Sequence, residues 1–297
     1  QIERLKRSKF NNSAYHFFVS SYASSSDRLG FYFNTGDTLD VYCPGTNSMH
    51  VATNRVFRDP AAWYHVVIRF DSTQSTAADR IRIYKNGELQ NGTFQGTTYP
   101  SQNATETYWN NAGEHLILFG NGEDSGDSFD GYVAEFNWVD GQSLPPETFG
   151  ESKNGIWIPK KITLSTADYG LNGSRYTFAD SSDIGKDTSG VGNDLDRVSN
   201  LSAHDVVTDS PENNFCNLNT NFADRTANTV SEGALKVVTS TSGRSFNAGS
   251  FLLRRGTGKW WWEYRAHDAA CGMGVARVNG KSGVGAYESV TSTGTGG

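Results

Sequence analysis

Hydrophobic side chains recur at every second position in several short stretches of this chain. In residues 63–71, WYHVVIRFD, one face carries Tyr64, Val66, Ile68 and Phe70, while the positions between them are mixed. A period of two is typical of a β-strand with one apolar face. The stretch therefore predicts a strand that buries one face in a core.

Similar short patterns predict further strands at residues 115–120 and 131–139. In residues 80–90, RIRIYKNGELQ, the pair Asn86-Gly87 follows an alternating run. Asn-Gly supplies the positive φ values that a type I′ hairpin turn requires. A helical period is missing throughout, apart from one predicted turn in residues 144–150, where two prolines precede a glutamate. Short strands separated by Gly, Asn, Asp and Ser predict an all-β protein, an antiparallel β-sandwich.

Differences in composition and in strand pattern divide the chain into three parts. Residues 1–150 contain the clearest strands and predict the first β-sandwich. Residues 151–218 are rich in turn-forming residues and predict an extended connector packed on that sandwich, with one short strand that contains Tyr176 and Phe178. From residue 219 new strand-like runs begin, among them KWWWEYRAH and GMGVARV. We expect residues 219–297 to be the start of a second β-sandwich.

Composition excludes several classes of function. The formal net charge is −6, and only RLKRSK concentrates basic residues, whereas a nucleic-acid-binding protein needs a basic face. No apolar run approaches the roughly 18–20 residues that cross a bilayer, so membrane insertion is not expected. The three cysteines have long spacings and form no CxxC pair, which argues against a zinc site or a disulfide framework. Such a protein fits assembly in a reducing cytoplasm.

Three segments together resemble a known family. They are FRDPAAWYHVVIRFDSTQSTAADRIRIYKNG, FDGYVAEFNWVDGQSLPPETFG, and the run from GIWIPKK through DTSGVGNDL to VVTDSPENNF. They resemble the laminin-G-like, concanavalin-A-like jelly-roll domain of bacteriophage and marine-virus virion proteins of the tail-fibre type. The resemblance covers about residues 5–218. Beyond residue 219 the chain is weakly similar to the opening of a SPRY-like sandwich.

The resemblance implies a place and partners for the protein. It implies a location in the virion after assembly in the host cytoplasm, contacts with other virion proteins, and a homo-oligomer, with a trimer as the usual state of viral fibres. Host cell-surface glycans are the external ligands that such a protein would meet.

The sequence does not predict an enzyme. Glycosidases of this general shape need two carboxylates about 5–10 Å apart, and the strand around Glu135 offers one. Glu263 and Asp268 lie five positions apart and would face opposite sides of a strand. His65 is the best-placed histidine, but within its strand we expect it to pack and hydrogen-bond rather than act as a base.

Two loops carry candidate metal ligands. NGEDSGDSFDG contains Asp124, Asp127 and Asp130, and KDTSGVGNDL contains Asp187 and Asp194. Oxygen ligands of this kind would suit calcium, although neither spacing is that of an EF-hand; no other cofactor is expected. The alternative is a solvated acidic loop in the first case. In the second, it is a tight turn in which Asp187 bonds its own backbone. A phosphate loop is excluded because no helix follows the glycines.

Aromatic residues in TYPSQNATETYWNN suggest a carbohydrate site. Tyr99, Tyr108 and Trp109 stand near amide side chains, and exposed rings stack on sugars while amides bind hydroxyl groups. The alternative is that these rings fold onto the sandwich or onto a neighbouring subunit. In the triple Trp260–Trp262, alternation predicts at least one ring in a core.

These observations favour a virion structural and adhesion protein of a tailed bacteriophage, that is, a tail fibre, receptor-binding or surface-decoration protein. Two alternatives stay open. One is a virion-associated polysaccharide-degrading enzyme. The other is a cellular carbohydrate-binding adhesion module.

Overall fold

The computed structural model describes residues 2–10, 14–25, 27–45, 48–92, 97–104, 115–122, 126–196, 201–223, 228–239, 247–253 and 258–265. Its strands in chain order are β1 Ile2–Arg7, β2 His16–Ser24, β3 Asp27–Phe33, β4 Leu39–Cys43, β5 Met49–Thr53, β6 Tyr64–Phe70, β7 Ile81–Lys85, β8 Glu88–Leu89, β9 Asn91–Gly92, β10 Ile117–Leu118, β11 Gly131–Trp138, β12 Gly150–Lys153, β13 Ile156–Pro159, β14 Ser174–Tyr176, β15 Leu218–Ala223, β16 Asn228–Ser231, β17 Lys236–Thr239 and β18 Asn247–Gly249. Helical structure is confined to α1 Thr166–Tyr169 and three 3-10 turns, Ala77–Asp79, Pro146–Thr148 and Ala203–Asp205.

Two six-stranded sheets form the body of the protein. Sheet I has the order β14-β11-β1-β6-β7-β8, and sheet II has the order β10-β2-β3-β4-β5-β9. All neighbouring strands in both sheets are antiparallel. The predicted all-β, antiparallel sandwich is therefore confirmed, as are the predicted strand at Tyr64–Phe70 and the helical turn at Pro146–Thr148.

The main core lies between the two sheets. Alternation on β6 turns Tyr64, Val66 and Ile68 inward, as the sequence pattern predicts, and all three are buried. From sheet II the core receives a set of aromatic and aliphatic side chains, namely Phe18, Leu29, Phe31, Phe33, Leu39, Val41, Met49 and Val51. Burial of this apolar surface is the main force that holds the sheets together.

The opposite face of sheet I is covered by the chain itself. Val67 and Tyr84 point away from the main core and form a second apolar cluster with Phe149 and Ile162. Ile162 thus packs on sheet I, and residues 151–218 also contribute β14 to that sheet through its pairing with β11. The composition of the sequence changes at residue 150, but sheet I includes residues from both sides of that boundary.

Buried ion pairs fasten the connector to sheet I. The Glu135 carboxylate accepts from Arg4 Nη1 and from Arg175 Nε, each at 2.8 Å. Arg4 Nη2 also donates to the carbonyl oxygen of Phe149 at 3.0 Å. Burial lowers the pKa of Arg4, while the Glu135 charge opposes that shift. Since buried charges are costly without partners, this network requires the connector to stay in place.

The later part of the chain forms smaller sheets. In the described part of residues 219–297, β15 pairs with β18 and β16 with β17. Residues 258–265 contain no strand, and Trp261 is 82% exposed. The strand and the buried tryptophan face predicted there are wrong for these residues, and the second sandwich stays a prediction. No helix in the described ranges is long and apolar enough to cross a membrane.

Candidate functional site

The outward side of sheet II carries a set of partly exposed aromatic and polar side chains. Because alternate residues of β2 to β5 enter the core, the residues between them face outward. The register aligns two rows across these strands. One row contains Phe17, Tyr32, Asp40 and Ala52, and the other contains Ser20, Gly30, Tyr42 and His50. These residues, with Arg28 on β3 and Tyr15 just before β2, are called the outer face of sheet II.

Three aromatic rings lie together at one side of this face. The Phe17 and Tyr32 ring centroids are 4.7 Å apart, and Tyr15 meets Tyr32 edge-on at 5.2 Å. Gly30 makes this arrangement possible, because a Cβ atom there would lie 2.6 Å from Phe17 Cε1. The missing side chain lets the Phe17 ring lie against the strand. Tyr15 remains 45% exposed, so the cluster offers a ring surface to solvent.

A polar group adjoins the rings. Asp40 accepts from Asn34 Nδ2 at 3.0 Å and from Thr38 Oγ1 at 3.1 Å, and its other oxygen lies 3.0 Å from His50 Nε2. These partners fix the orientation of a carboxylate that is almost fully buried. Burial, and then the Asp40 charge, raise the pKa of Tyr32. Tyr32 therefore stays a neutral phenol in the physiological range.

Tyr42 joins the two groups and is only partly buried. Its ring meets the His50 imidazole edge-on at 5.3 Å, and the Arg28 guanidinium lies 5.5 Å from its centroid. Such a cation–π contact holds the arginine over the ring. The resulting surface combines half-exposed rings, which can stack on a ligand, with oriented groups that can hydrogen-bond to it.

The comparisons with known proteins agree with this architecture. A family model described as "Concanavalin A-like lectin/glucanases superfamily" matches residues 5–147. Over these residues the chain is similar to that superfamily, and the antiparallel β-sandwich agrees with the match. The resemblance stated from sequence motifs is thereby confirmed at the level of the superfamily. Neither the search of curated proteins nor the search of solved structures gave a match.

Of the three predicted sugar-binding residues, the structure describes Tyr99. It is half-buried and packs against the main core between the two sheets. Its neighbour Thr98 exchanges both backbone hydrogen bonds with His50, at 2.9 and 3.0 Å. The predicted segment thus borders the outer face of sheet II, while the Tyr99 ring packs against the core. Tyr108 and Trp109 lie outside the described residues.

The predicted acidic loop is partly described. The Asp127 side chain accepts from the backbone nitrogen of Tyr15 at 3.2 Å, and Asp130 pairs with Lys9 at 2.9 Å. Asp124 lies outside the described residues. Asp127 therefore supports the segment that carries Tyr15, at the border of the candidate face.

The KDTSGVGNDL loop is organised by one carboxylate. Asp187 Oδ1 accepts from the backbone nitrogens of Arg175 and Ser189, each at 2.8 Å. Its Oδ2 accepts from the Ser189 hydroxyl and from the nitrogens of Gly192 and Asn193, at 2.8 to 3.0 Å. Burial alone would raise the pKa of Asp187, but these hydrogen bonds hold it below the usual value.

The same hydrogen bonds occupy the carboxylate oxygens that a metal ion would coordinate. With five donors on its two oxygens, Asp187 has no free lone pair directed at a cation, and Asp194 accepts from the Asp187 nitrogen at 2.7 Å. Within the described ranges no group of three or more Asp, Glu, His or Cys side chains could hold a metal ion. The tight-turn alternative is the one that matches these contacts. The calcium hypothesis for the acidic loop around Asp124 stays a prediction.

Sequence reasoning missed the outer face of sheet II. Alternation in RLGFYF and LDVYC was a usable signal for β3 and β4, because Leu, Phe and Val occupy every second position. It could not show that Tyr32, Asp40 and Tyr42 meet on one face. That juxtaposition depends on strand order and register.

Proposed function

We propose that this protein is a carbohydrate-binding adhesion module without catalytic activity of its own. A concanavalin A-like domain fits carbohydrate binding or adhesion. The observation that carries the proposal is the outer face of sheet II, where Tyr15, Phe17 and Tyr42 are partly exposed beside Arg28 and His50. The rings would stack on a sugar, and the arginine and imidazole would hydrogen-bond to its hydroxyl groups.

The carboxylates near this face support binding rather than hydrolysis. Asp40 is the single carboxylate among the outward residues named above, and three partners already engage it. Glu135, the other carboxylate considered from the sequence, lies on sheet I between Arg4 and Arg175. A glycosidase requires a second carboxylate within about 10 Å, facing the same substrate.

Binding should be measured first on a glycan array and then by calorimetry with the best ligand. We expect Tyr42→Ala to weaken binding at least about tenfold, a loss of about 1.4 kcal/mol. Trp261→Ala is the matched control, because it removes an exposed ring that is not on this face. Equal loss in both variants, or no binding by the unmodified protein to any polysaccharide, would exclude the outer face of sheet II as the site.

Incubation of the same polysaccharide with the protein also tests the enzymatic alternative. Released reducing ends, dependent on Asp40, would show a virion-associated polysaccharide-degrading enzyme instead of a binding module. We expect none.

We further propose that the module belongs to the surface of a bacteriophage virion and attaches it to host glycans. The support is the resemblance of DGYVAEFNWVDGQ and TDSPENNF to viral proteins of the tail-fibre type. A homotrimer in contact with other virion proteins, assembled in the host cytoplasm, is part of this proposal. Imaging of intact particles with a labelled antibody tests it. Absence from particles would favour the cellular adhesion module.

A further inference from the structure

Lys6 is an unusual lysine because its ammonium group lies inside the protein. The side chain is 0% exposed, beneath residues 209–215 of the connector. Lys6 Nζ donates to Asp209 Oδ2 at 2.8 Å, to Asn214 Oδ1 at 2.8 Å and to the carbonyl oxygen of Phe215 at 2.6 Å. An amine, a carboxylate and a side-chain amide therefore converge at the buried Lys6 ammonium group, with Asn214 on the exposed side.

Aromatic groups surround this point. The Tyr132 ring centroid lies 5.5 Å from Lys6 Nζ, and the Trp63 indole donates to Asp209 Oδ1 at 2.9 Å. Asp209 is only 7% exposed at its side chain. Removal of two charges from water is costly without partners, so the Lys6 ammonium and the Asp209 carboxylate depend on each other and on these hydrogen bonds.

The geometry brings the amine close to the amide carbon. A hydrogen bond of 2.8 Å to Asn214 Oδ1, with a C=O length of about 1.23 Å, places Nζ within about 4 Å of Asn214 Cγ. Reacting atoms in near-attack arrangements stand about 3–3.5 Å apart. Asn214 Nδ2 is held on its other side by the carbonyl oxygen of Ala61 at 2.6 Å, so the amide is fixed with its carbonyl group towards the amine.

We infer that Lys6 and Asn214 become joined by an intramolecular amide bond, with Asp209 as the acid–base group. Asp209 takes a proton from the Lys6 ammonium, and the Nζ lone pair attacks Asn214 Cγ. The carbonyl π pair moves to Oδ1, where Asp209 stabilises the charge by donating its proton. One of the two protons on Nζ then passes to Nδ2, and the proton on Oδ1 returns to Asp209 as the carbonyl group reforms. The Cγ–Nδ2 bond breaks, Nδ2 leaves as ammonia, and Asp209 keeps the proton that it took from the Lys6 ammonium. One C–N bond forms and one breaks, without oxidation or reduction.

Such a bond would connect β1 to the end of the connector. It would enclose both sheets and hold residues 209–215 on sheet I under mechanical load. Cys43 and Cys216, the cysteines in the described residues, form no disulfide. The amide bond would thus cross-link the chain without an oxidising compartment.

The mass of the intact, denatured protein tests this inference directly. We expect it to be lower than the sequence mass by one ammonia, about 17 Da. Trypsin should release Leu5-Lys6-Arg7 linked to the peptide of residues 198–225, because an acylated Lys6 resists cleavage. An intact mass equal to the sequence mass, with residues 198–225 recovered as a linear peptide, would overturn the inference and leave a non-covalent ion pair.

Variants identify the participants. Lys6→Arg keeps the charge but should abolish the mass loss, and Asp209→Ala should leave the amine and amide unreacted. Lys9→Arg is the matched control, since Lys9 forms an exposed ion pair with Asp130 and should keep the loss. A mass loss that persists in Lys6→Arg would overturn the assignment to Lys6.

Discussion

Asp187 illustrates how one side chain organises a loop that looks, in sequence, like a ligand site. Its carboxylate gathers five donors from Arg175, Ser189, Gly192 and Asn193. Gly190 and Gly192 take φ values of 87° and 93°, which are accessible to glycine without strain. The backbone thereby curls around the carboxylate, and the loop needs no ion for its shape.

Substitution of this carboxylate should destabilise the protein. We expect Asp187→Ala to lower the free energy of unfolding by roughly 2–4 kcal/mol, because several partly buried donors lose their acceptor. Urea unfolding followed by circular dichroism measures the effect. Asp183→Ala, at an exposed position of the same segment, is the control and should change stability little; equal effects would contradict the role of Asp187.

The stabilisation by the Asp187 carboxylate should also depend on pH. Because its pKa is lower in the folded state than the usual value of 3.8, its stabilising contribution is present above that value. It is lost as the pH falls through the folded-state pKa. The difference between the unmodified protein and Asp187→Ala should therefore shrink in acid, and a difference that stays constant would argue against an ionised Asp187.

His65 should remain neutral well below the usual range for histidine. Burial, and then the Arg4 charge, lower its pKa to about 3, and its Nδ1 accepts from Trp157 Nε1 at 2.8 Å. Because the unfolded chain binds this proton first, His65 should reduce stability as the pH falls from about 6.5 towards 3.

NMR titration of the His65 ring measures this pKa. Trp157→Phe removes the donor to the neutral imidazole and should raise the pKa. A midpoint near 6.5 in the unmodified protein would show that Trp157 does not cover His65.

At the scale of secondary-structure elements, the β12–β13 hairpin is positioned by the Trp157 ring. The indole stacks on His65 with centroids 5.7 Å apart. It lies directly against Gly87 and Gly150, where added Cβ atoms would be 2.4 and 2.5 Å from ring atoms. The two glycines therefore form a slot for the Trp157 ring. The contacts of the ring in this slot position the hairpin against sheet I.

A methyl group at Gly87 should displace the hairpin. Gly87 and Gly155 have nearly equal φ values, 79° and 77°, but nothing lies within 4 Å of a Cβ atom at Gly155. Gly155→Ala should therefore cost only the backbone strain, about 1 kcal/mol. Gly87→Ala should cost about 1–3 kcal/mol more because of steric overlap. Thermal unfolding and Trp157 fluorescence measure both, and equal losses would contradict the slot.

The edge of sheet I is protected at the same scale. Strand β14 is the terminal strand, and its outer side bonds to the Asp187 loop: Thr188 donates to the Arg175 carbonyl at 2.7 Å, and Asp187 accepts from the Arg175 nitrogen. An open strand edge invites pairing with other chains. KDTSGVGNDL closes that edge.

In the whole molecule, the folded unit is larger than the segment that matches the superfamily. That match ends at residue 147, but β14, Trp157, Arg175 and Asp209 all complete sheet I from later positions. Without them Lys6 and Glu135 would lose buried partners, and such losses cost several kcal/mol each.

Truncation tests this view of the unit. A chain that ends at residue 147 should unfold at a much lower urea concentration than one that ends at residue 218, or unfold without a cooperative transition. Circular dichroism in urea compares the two. Equal midpoints would show that the connector adds nothing to the stability of the sandwich.

Much of the local structure could be predicted from the sequence. Alternation predicted β6 and β11, and Asn86-Gly87 predicted the turn between β7 and β8. Two prolines predicted the helical turn at Pro146–Thr148. These features depend on neighbours in the chain, so a single sequence contains their signal. The strand predicted for the tryptophan-rich segment was wrong because alternation alone does not show whether a neighbouring strand is present to pair with it.

The sequence by itself determined the class of fold, the phase of its clearest strands and its main hairpin, because steric and hydrophobic preferences act between residues close in the chain. Only the tertiary structure decided which side chains meet. Lys6 and Asp209 are 203 positions apart, and the outer face of sheet II exists because four strands align in one register. Such contacts depend on strand order and packing, for which a local pattern has no signal.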